Sequence, residues 1–355
     1  MPRPTVAPPE AGGYRVLAGG ILWIRLPVPG GLGHINVWLV PARRGWFLVD
    51  TGVRTEAVEA AWQTLHRRLP LGSGLQEIVV THHHPDHYGM AGGLSERYGV
   101  PVRMTGPARQ AAQPRESSGN HGRVTEFADE FGLELDEDMC AILRGGAYRS
   151  LISGHPATEP LAAGDMLPGP EGPWRVSVHD GHAAGHACLY HEATGVLISG
   201  DQVLPAISSN ISLHPGNRDT DPLAEYLASL DELDRLPAGT LVLPAHGRPF
   251  TTLHERTAAL RREHADRLEQ LAAACREPAP TGALVERLFD LGRLDALNRL
   301  LATTETLAHL RRLEKAGRIE RHRTGARLRW VARAGSKPRA EPVSSSDNGA
   351  GHGVG

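Results

Sequence analysis

Thr81-His82-His83-His84-Pro85-Asp86-His87 is the most informative stretch of this sequence, since five of its seven side chains are of types that bind metal ions. The apolar run Gln76–Thr81 leads into it and predicts a buried strand. On an extended segment, side chains two residues apart point the same way, so His82 and His84 can hold one ion while His83 faces away. A surface histidine tract is the alternative interpretation, and the position at the end of a buried strand disfavours it.

A second set of possible ligands begins in the same stretch and continues far along the chain. Asp86 and His87 follow after a turn and can reach a second ion beside the first. Downstream, His182, Asp201 and His246 each lie just past a predicted strand, where the loops on one edge of a sheet converge. A single His or Asp in such a place is more often structural, but several strand ends together indicate a metal site.

Strands and helices alternate through most of the chain, which predicts a layered α/β arrangement. The run Trp46–Asp50 is typical of a buried strand, and Thr55–Leu69 has the apolar spacing of an amphipathic helix. The alternation breaks between residues 105 and 160, where the acidic stretches Val124–Phe131 and Glu137–Leu143 are predicted to be helical. This interval is therefore predicted to be an inserted helical cap.

After about residue 252 the composition changes to helix formers, followed by a strand, a Thr324-Gly325 turn and a second strand, as in a winged-helix module. The predicted organisation is a flexible lead-in over 1–16, a catalytic domain over 17–252 that contains the 105–160 cap, a C-terminal helical or winged-helix module over 253–335, and a disordered tail over 336–355.

The overall composition excludes some classes of protein. The 355 residues carry 38 Lys and Arg against 40 Asp and Glu, which disfavours a protein coated with positive charge for nucleic acid or membrane. No apolar run approaches the roughly 18 residues of a transmembrane helix, and Met1-Pro2-Arg3-Pro4 lacks the apolar core of a secretory signal. Cys140, Cys188 and Cys275 are odd in number and widely spaced, which predicts a reducing, cytoplasmic location.

The ordered set from Leu48-Val49-Asp50-Thr51-Gly52 through the histidine stretch to His246 resembles the metallo-β-lactamase superfamily, over most of residues 20–250. The resemblance implies an α+β fold, a four-layer αββα sandwich with a metal pair at one edge of its two sheets, here with a helical insertion and a small C-terminal helical domain. It also implies the ligand roles. The first metal would be held by His82, His84 and His182, and the second by Asp86, His87 and His246, with Asp201 bridging.

Four further residues near this set have other expected roles. Asp50 matches the structural Asp behind the family's site, and we expect it to orient a ligand rather than bind metal itself. His186 is an extra acid or ligand or, as we expect, a packing residue beside the site. Asn210 and His214, in the loop after Asp201, could contact substrate.

Departures from the family pattern narrow the group. β-Lactamases of the common class place Cys at the position of Asp201, and flavodiiron relatives carry Glu where His84 stands, so both chemistries are disfavoured. The interval from Asp201 to His246 is too short for the large inserted domain of the RNA-processing nucleases. The chain is most similar to the glyoxalase II-type hydrolases and to the β-lactamase-like protein 2 group, whose members carry a C-terminal winged-helix module.

The implied chemistry is hydrolysis by a metal-activated water. Two divalent ions about 3.5–4 Å apart can share a water and lower its pKa towards neutrality. The resulting metal-bound hydroxide would attack an ester or thioester of a small substrate, with Asp86 and Asp201 as the catalytic carboxylates. Zinc is the expected metal, and iron or manganese suits the same ligands. Metal-dependent endoribonuclease and lactonase activities are the alternatives.

The C-terminal hairpin leaves a second kind of partner open. Residues 306–335 contain nine Lys and Arg against two Glu, so RNA could bind there. We favour the alternative that these side chains solvate a hairpin packed on the catalytic domain or on a second copy in a homodimer, because Trp330 is its only aromatic residue for base stacking. The expected partner is a small-molecule substrate, with no membrane.

Overall fold

The computed structural model describes residues 7–113, 117–145, 148–325 and 327–334. The predicted disordered tail over 336–355 and the first six residues of the predicted lead-in lie outside the described residues. The described part contains two mixed β-sheets, helices on both outer sides, and C-terminal helices that end in a hairpin. No helix in these ranges has the length and apolar character that crossing a membrane requires.

The first sheet has seven strands that neighbour one another in sequence order. They are β1 (Tyr14–Val16), β2 (Leu22–Pro27), β3 (His34–Pro41), β4 (Trp46–Val49), β5 (Leu75–Val79), β6 (Val102–Thr105) and β7 (Thr158–Leu161). The pairs from β1 to β4 are antiparallel, and those from β4 to β7 are parallel. Tyr14–Val16 belongs to the segment that the sequence predicts to be flexible, yet it pairs with β2. Backbone hydrogen bonds can order a segment whose composition is rich in Gly and Pro.

The second sheet has five strands. They are β8 (Met166–Leu167), β9 (Trp174–His179), β10 (His186–His191), β11 (Val196–Gly200) and β12 (Leu241–Pro244). Their order across the sheet is β12-β11-β10-β9-β8, and only the β11–β12 pair is parallel. As a result β9, β11 and β12 run in one direction, and their carboxyl ends meet at the same edge of the sheet.

Helices alternate with the strands and continue after the last strand of the second sheet. They are α1 (Glu56–Arg68), α2 (Leu71–Gly74), α3 (Pro85–Tyr88), α4 (Ala91–Tyr98), α5 (Gly106–Ala112), α6 (Ser117–Phe131), α7 (Glu137–Leu143), α8 (Pro222–Leu233), α9 (Leu253–Ala274), α10 (Thr281–Leu288) and α11 (Ala296–Lys315). Helices α5 to α7 lie between β6 and β7, within the interval predicted to be a helical insertion.

Apolar side chains form three buried clusters that define the layers. Trp62 of α1 and Leu94 of α4 pack with residues of the first sheet, and Tyr226 of α8 packs with residues of the second. Between the sheets lies a third cluster that includes Trp23 and Trp38, whose rings stack at 6.1 Å. Burial on both faces explains why the strands are continuous apolar runs, and the predicted four-layer αββα fold is confirmed.

The C-terminal helices end in a two-stranded hairpin, β13 (Ile319–Thr324) and β14 (Arg327–Ala332). Gly325 lies in the predicted turn with φ +60°, a conformation that glycine adopts without steric cost. Trp330 of β14 is fully buried, and its indole N–H donates to Oγ1 of Thr281, 2.9 Å away, at the start of α10. The hairpin therefore packs on the helices before it.

Candidate metal centre

Ligand-type side chains follow several strands at one edge of the sandwich. His82 and His84 come after β5, His182 after β9, Asp201 after β11 and His246 after β12. Strands β9, β11 and β12 run in the same direction, so their carboxyl ends bring His182, Asp201 and His246 together although more than 60 positions separate the first from the last in the sequence.

Helix α3 supplies the two remaining residues that the sequence predicts. Pro85 occupies its first position, where the missing N–H costs nothing, and the helix turns the chain immediately after His84. Asp86 and the fully buried His87 thereby face the same pocket as the strand-end residues.

The first group consists of three imidazoles. Nε2 of His82 lies 2.8 Å from Nδ1 of His84 and 3.3 Å from Nε2 of His182. The three rings cannot all donate hydrogen bonds to one another at these distances. Their nitrogen atoms therefore converge as a set of ligand atoms suited to a single cation.

The second group consists of Asp86, His87 and His246. Oδ2 of Asp86 lies 3.3 Å from Nε2 of His246 and 3.6 Å from Nε2 of His87. Asp201 stands between the groups: its Oδ2 is 3.6 Å from Nε2 of His182 and 3.4 Å from Nε2 of His87, and its Oδ1 is 3.5 Å from Nε2 of His246. The structure thus brings together all seven residues that the sequence predicts.

Hydrogen bonds behind the pocket fix the ring nitrogens of two histidines. Nδ1 of His87 lies 2.7 Å from Oδ2 of Asp50, and Nδ1 of His82 lies 3.1 Å from Oγ1 of Thr81. The Thr81 hydroxyl and backbone N–H both donate to Asp50, so this hydroxyl oxygen is free to accept from His82. Nδ1 of each ring is therefore the atom held behind the pocket, and Nε2 is the atom that faces into it.

Backbone carbonyls fix two more rings in the same way. Nδ1 of His182 donates to the carbonyl of Asn210 at 2.9 Å, and Nδ1 of His246 donates to the carbonyl of His34 at 2.7 Å. A carbonyl can only accept, so Nε2 of each ring is the atom left for the pocket.

The two groups differ in charge. Burial, together with the neighbouring imidazoles, holds the pKa of His82 and of His84 well below the ordinary value. Burial alone would likewise lower the pKa of His87, but the carboxylates of Asp201, Asp50 and Asp86 raise it well above the ordinary value. The first group is consequently neutral, and the second concentrates negative carboxylates that attract positive charge.

The same balance acts on the carboxylates themselves. Burial would raise the pKa of Asp201, but His246 and His87 hold it well below its usual range. For His246, burial works against Asp201 and Asp86, which together raise its pKa to about 10. Asp201 is accordingly ionised and available as a ligand.

Three buried polar atoms at the centre of the pocket fit a bound cation. Nε2 of His87, Nε2 of His246 and Oδ1 of Asp201 have no hydrogen-bond partner among the described residues. Buried polar groups are normally satisfied, and atoms left over at a convergence of His and Asp side chains are those that a divalent metal would bind.

A family model described as the metallo-beta-lactamase superfamily matches residues 30–246, the interval that contains the whole pocket. The chain belongs to the metallo-beta-lactamase superfamily. It is a metal-dependent hydrolase of that superfamily with a His/Asp cluster suited to divalent metals. A second model, described as the metallo-beta-lactamase-like C-terminal domain, matches residues 268–333.

Individual relatives agree with the superfamily assignment. A probable metallo-hydrolase of Bacillus subtilis is 31% identical over 238 residues, which is 66% of this chain and 73% of that protein. The crystal structure of a beta-lactamase domain protein from Burkholderia ambifaria is 35% identical, with a TM-score of 0.82 over 92% of this chain and 96% of that one. A metallo-beta-lactamase family protein from Thermus thermophilus is 29% identical, with a TM-score of 0.76 over 90% of this chain and all of that one.

His186 lies beside the two groups of this superfamily site without belonging to either. Its Nε2 accepts a hydrogen bond from the backbone N–H of Asp201 at 3.1 Å, and its ring stacks on that of His82 with centroids 4.8 Å apart. Gly200 makes this contact possible, since a Cβ at that position would lie 2.6 Å from the His186 ring. His186 therefore packs beside the site and positions the Asp201 backbone.

Sequence reasoning missed other residues that support the superfamily site. Thr81 joins Asp50 to His82, but its position before the histidines carries no signal of that contact. Asn210, a candidate substrate contact in the sequence, directs its side-chain amide to Glu305 of α11 instead. An acidic residue inside the run Thr303-Thr304-Glu305-Thr306-Leu307 is the one signal that could have singled out Glu305.

Proposed function

We propose that the protein is a dinuclear zinc hydrolase that cleaves an ester or thioester bond of a small acyl substrate. The observation that carries this proposal is the position of Asp201, whose Oδ2 lies 3.6 Å from Nε2 of His182 in the first group and 3.4 Å from Nε2 of His87 in the second, while its Oδ1 lies 3.5 Å from Nε2 of His246. A carboxylate shared in this way suits two neighbouring cations better than one.

Each of the two ions would have its own set of ligands. One ion would be bound by His82, His84 and His182, and the other by Asp86, His87 and His246, with Asp201 between them. Bound divalent ions would lower the pKa of a water towards neutrality and polarise the scissile carbonyl. Asp86 retains some side-chain exposure and would orient the attacking water and accept its proton at a carboxylate oxygen.

The cysteine beside the site is poorly placed for covalent catalysis. Cys188 lies close to the site, with Sγ 3.8 Å from Nδ1 of His186, but burial raises its thiol pKa far above neutrality. A protonated, buried thiol cannot attack a substrate, which favours water as the nucleophile.

The names of relatives support an acyl substrate. A hydroxyacylglutathione hydrolase of Nitrosomonas eutropha is 27% identical over 212 residues, 59% of this chain and 60% of that protein. An acylglutathione is a thioester, whose carbonyl accepts attack by water more readily than an amide does. We extend this class of substrate to the present chain.

The basic hairpin gives less support to RNA as the substrate. Five of the nine Lys and Arg of residues 306–335 form ion pairs with carboxylates of the described chain: Arg311, Arg312, Arg318, Arg321 and Arg333. Arg321, for example, contacts Glu314 at 2.6 Å and Glu130 of α6 at 3.1 Å. Four of the nine Lys and Arg lie outside these ion pairs, but Trp330 is buried and so not open for base stacking, which leaves less support for RNA than the composition suggests.

The test is a substrate panel with zinc-loaded protein: S-lactoylglutathione, acetyl-coenzyme A, an acyl-homoserine lactone and a single-stranded RNA. We expect hydrolysis of a thioester, and loss of at least a thousandfold in kcat for His82→Ala. His83→Ala is the matched control, because His83 is adjacent but belongs to neither ligand group, and it should retain most activity.

Other outcomes would replace the proposal. Cleavage of RNA without thioester hydrolysis, lowered by the charge reversal Arg327→Glu on the exposed hairpin, would establish a nuclease. Hydrolysis of the lactone alone would make the protein a lactonase. A single zinc per chain at saturation would contradict the dinuclear site.

A further inference from the structure

A partly buried polar network connects the candidate metal centre to α11. Its first member is Asn210, which uses both ends: the backbone carbonyl accepts from Nδ1 of His182 at 2.9 Å, and the side-chain Nδ2 donates to Oε2 of Glu305 at 3.0 Å. Nδ2 also lies 3.3 Å from the carbonyl of Leu301. One residue thus contacts a metal-site imidazole on one side and the C-terminal helix on the other.

The segment around Asn210 is attached to α11 at further points. The hydroxyls of Ser212 and Thr304 lie 2.9 Å apart, and the N–H of Leu213 donates to the carbonyl of Thr304 at 3.0 Å. The hydroxyl of Ser212 also donates to the side-chain oxygen of Asn210. The position of the Asn210 carbonyl is therefore set by α11, and not by the metal-site loop alone.

Glu305 is the charged anchor of this attachment. It is 6% exposed, and its two carboxylate oxygens have separate partners: Oε1 accepts from Nη1 of Arg267 at 2.5 Å, and Oε2 accepts from Asn210. Burial raises the pKa of Glu305 to about 7, while Arg267 and Asn210 act in the opposite direction. A buried carboxylate of this kind is stable only with both partners in place.

The neighbouring histidines offer another interpretation of the same cluster. Ligand atoms of His264, Glu305 and His309 lie within 4.8 Å of one another, and Nε2 of His264 has no hydrogen-bond partner among the described residues. The cationic guanidinium of Arg267 already occupies the carboxylate, however, and would repel a metal ion there. The observations favour a hydrogen-bonded network over a third metal site.

We propose that Glu305 is a positioning residue for the metal centre: through the Asn210 side chain it holds the Asn210 carbonyl on Nδ1 of His182, and so aims Nε2 of His182 at the first metal. The proposal rests on the proposed ligand role of His182. It makes the packing of α11 a determinant of metal affinity in a site built from distant strands.

The test compares Glu305→Gln with Glu314→Gln. The Glu305→Gln substitution keeps the shape of the side chain but presents an amide N–H₂ to either Asn210 or Arg267, both of which are donors, so one hydrogen bond is lost. Glu314 is an ion-paired residue on the same helix that contacts Arg321 and has no bond to Asn210, so it is the matched control. Asn210→Ala removes the amide and keeps the carbonyl, as a second variant should Glu305→Gln fold poorly.

Zinc affinity, measured by chelator competition, is the first readout. We expect one of the two zinc ions to bind ten- to a hundredfold more weakly in Glu305→Gln and in Asn210→Ala, with the second ion and the Glu314→Gln protein unchanged. The second readout is the exchangeable Nδ1 proton of His182, observed as a shifted NMR signal in cobalt-substituted protein. It should broaden or exchange faster only in the two network variants.

Two outcomes would overturn the proposal. One is a Glu305→Gln protein with wild-type affinity for both ions and an unchanged His182 signal. The other is a third zinc ion in the wild type that Glu305→Gln alone loses, which would make the cluster a metal site. Failure of the proposed function is distinguishable, because it would appear as His182→Ala binding two zinc ions with wild-type affinity, whatever Glu305→Gln does.

Discussion

Oδ2 of Asp50 lies 2.7 Å from Nδ1 of His87, and both side chains are almost completely removed from solvent. Asp50 is a non-glycine residue with a positive φ, 63°, so the backbone adopts a left-handed conformation to deliver its carboxylate to this place. Its other oxygen accepts from the backbone N–H of Thr81 at 2.8 Å. The carboxylate therefore determines which nitrogen of His87 faces the metal pocket.

The first prediction concerns Asp50→Asn. Asn tolerates the left-handed conformation, so the fold should survive, but its N–H₂ group must face either the Thr81 donors or Nδ1 of His87. Facing His87, it would favour the tautomer with the proton on Nε2 and weaken metal binding. We expect a ten- to hundredfold loss of affinity for one zinc ion, measured by chelator competition.

Asp231→Asn is the control for this substitution. Asp231 is a mostly exposed carboxylate paired with Arg261 on the helical side of the second sheet, and its loss should leave zinc affinity unchanged. Wild-type affinity in Asp50→Asn would show that the tautomer of His87 is fixed by some other group.

The second prediction uses two glycines with similar backbones and different surroundings. A Cβ at Gly200, φ +51°, would lie 2.6 Å from the His186 ring, whereas a Cβ at Gly195, φ +63°, would meet nothing within 4 Å. Gly195→Ala should cost only the backbone strain, about 1–2 kcal/mol of unfolding free energy. Gly200→Ala should cost about 1–3 kcal/mol more and weaken zinc binding, because His186 must leave the Asp201 backbone.

Urea unfolding of the metal-free proteins measures the first difference, and zinc titration measures the second. Equal unfolding free energies for the two variants would mean that His186 moves at no cost and does not position Asp201.

The third prediction concerns metal removal. The Nε2 atoms of His87 and His246, which make no hydrogen bond among the described residues, and the ionised Asp201 should be stabilised by bound cations in the folded state alone. At free zinc of about a thousand times Kd, each ion should add about 4 kcal/mol to the unfolding free energy, and a chelator should abolish this gain together with activity. Calorimetry with and without chelator tests this for wild type. His83→Ala should behave like wild type, whereas His82→Ala should lose most of the contribution of one ion and keep that of the other.

The sequence predicts this site well because its ligands repeat one relationship, a polar residue directly after an apolar strand. His182, Asp201 and His246 each follow that pattern, and parallel strands carry them to the same edge. The four layers are predictable for a related reason, since runs such as Trp46–Val49 are apolar on both faces and must be covered on both.

The supporting contacts are not predictable in the same way. Asn210 reaches Glu305 across 95 positions, and Asp50 reaches His87 across 37, without any periodicity that links the partners. The strand Tyr14–Val16 likewise depends on hydrogen bonds with β2 that composition does not encode. Such contacts depend on how loops and edge segments pack against the two sheets after folding.

The last prediction concerns acid stability of the C-terminal helices. Burial lowers the pKa of His264 to about 3, with His309 and Arg267 adding to the effect. Burial also lowers the pKa of His309 to about 4, where the hydrogen bond to the Glu305 carbonyl opposes the shift and Arg267 adds to it. Nδ1 of His309 donates to the Glu305 carbonyl at 2.8 Å, so its Nε2 accepts from Nδ1 of His264 at 3.1 Å and both rings are neutral. In the unfolded chain they bind protons below about pH 6.5, so each histidine's contribution to stability is complete above that pH and is lost as the pH falls towards 4.

His264→Gln removes one of the two titrating side chains and keeps an amide that can donate to His309. Between about pH 4.5 and 6, the unfolding free energy of the variant should fall less steeply than that of wild type, by about 1.4 kcal/mol per pH unit. Glu305 acts with the opposite sign, since its pKa is raised to about 7 and its contribution to stability is lost as the pH rises. Glu305, Arg267, Glu263 and Tyr226 surround position 264 in both proteins, so their effects are common to the two curves. Urea unfolding of metal-free protein at several pH values measures the slopes, and above pH 7 the two curves should be parallel. If the unfolding free energies of the two proteins fall with equal slopes in acid, His264 is already protonated in the folded protein. The cluster of His264, Glu305 and His309 would then carry a positive charge that its hydrogen bonds do not indicate.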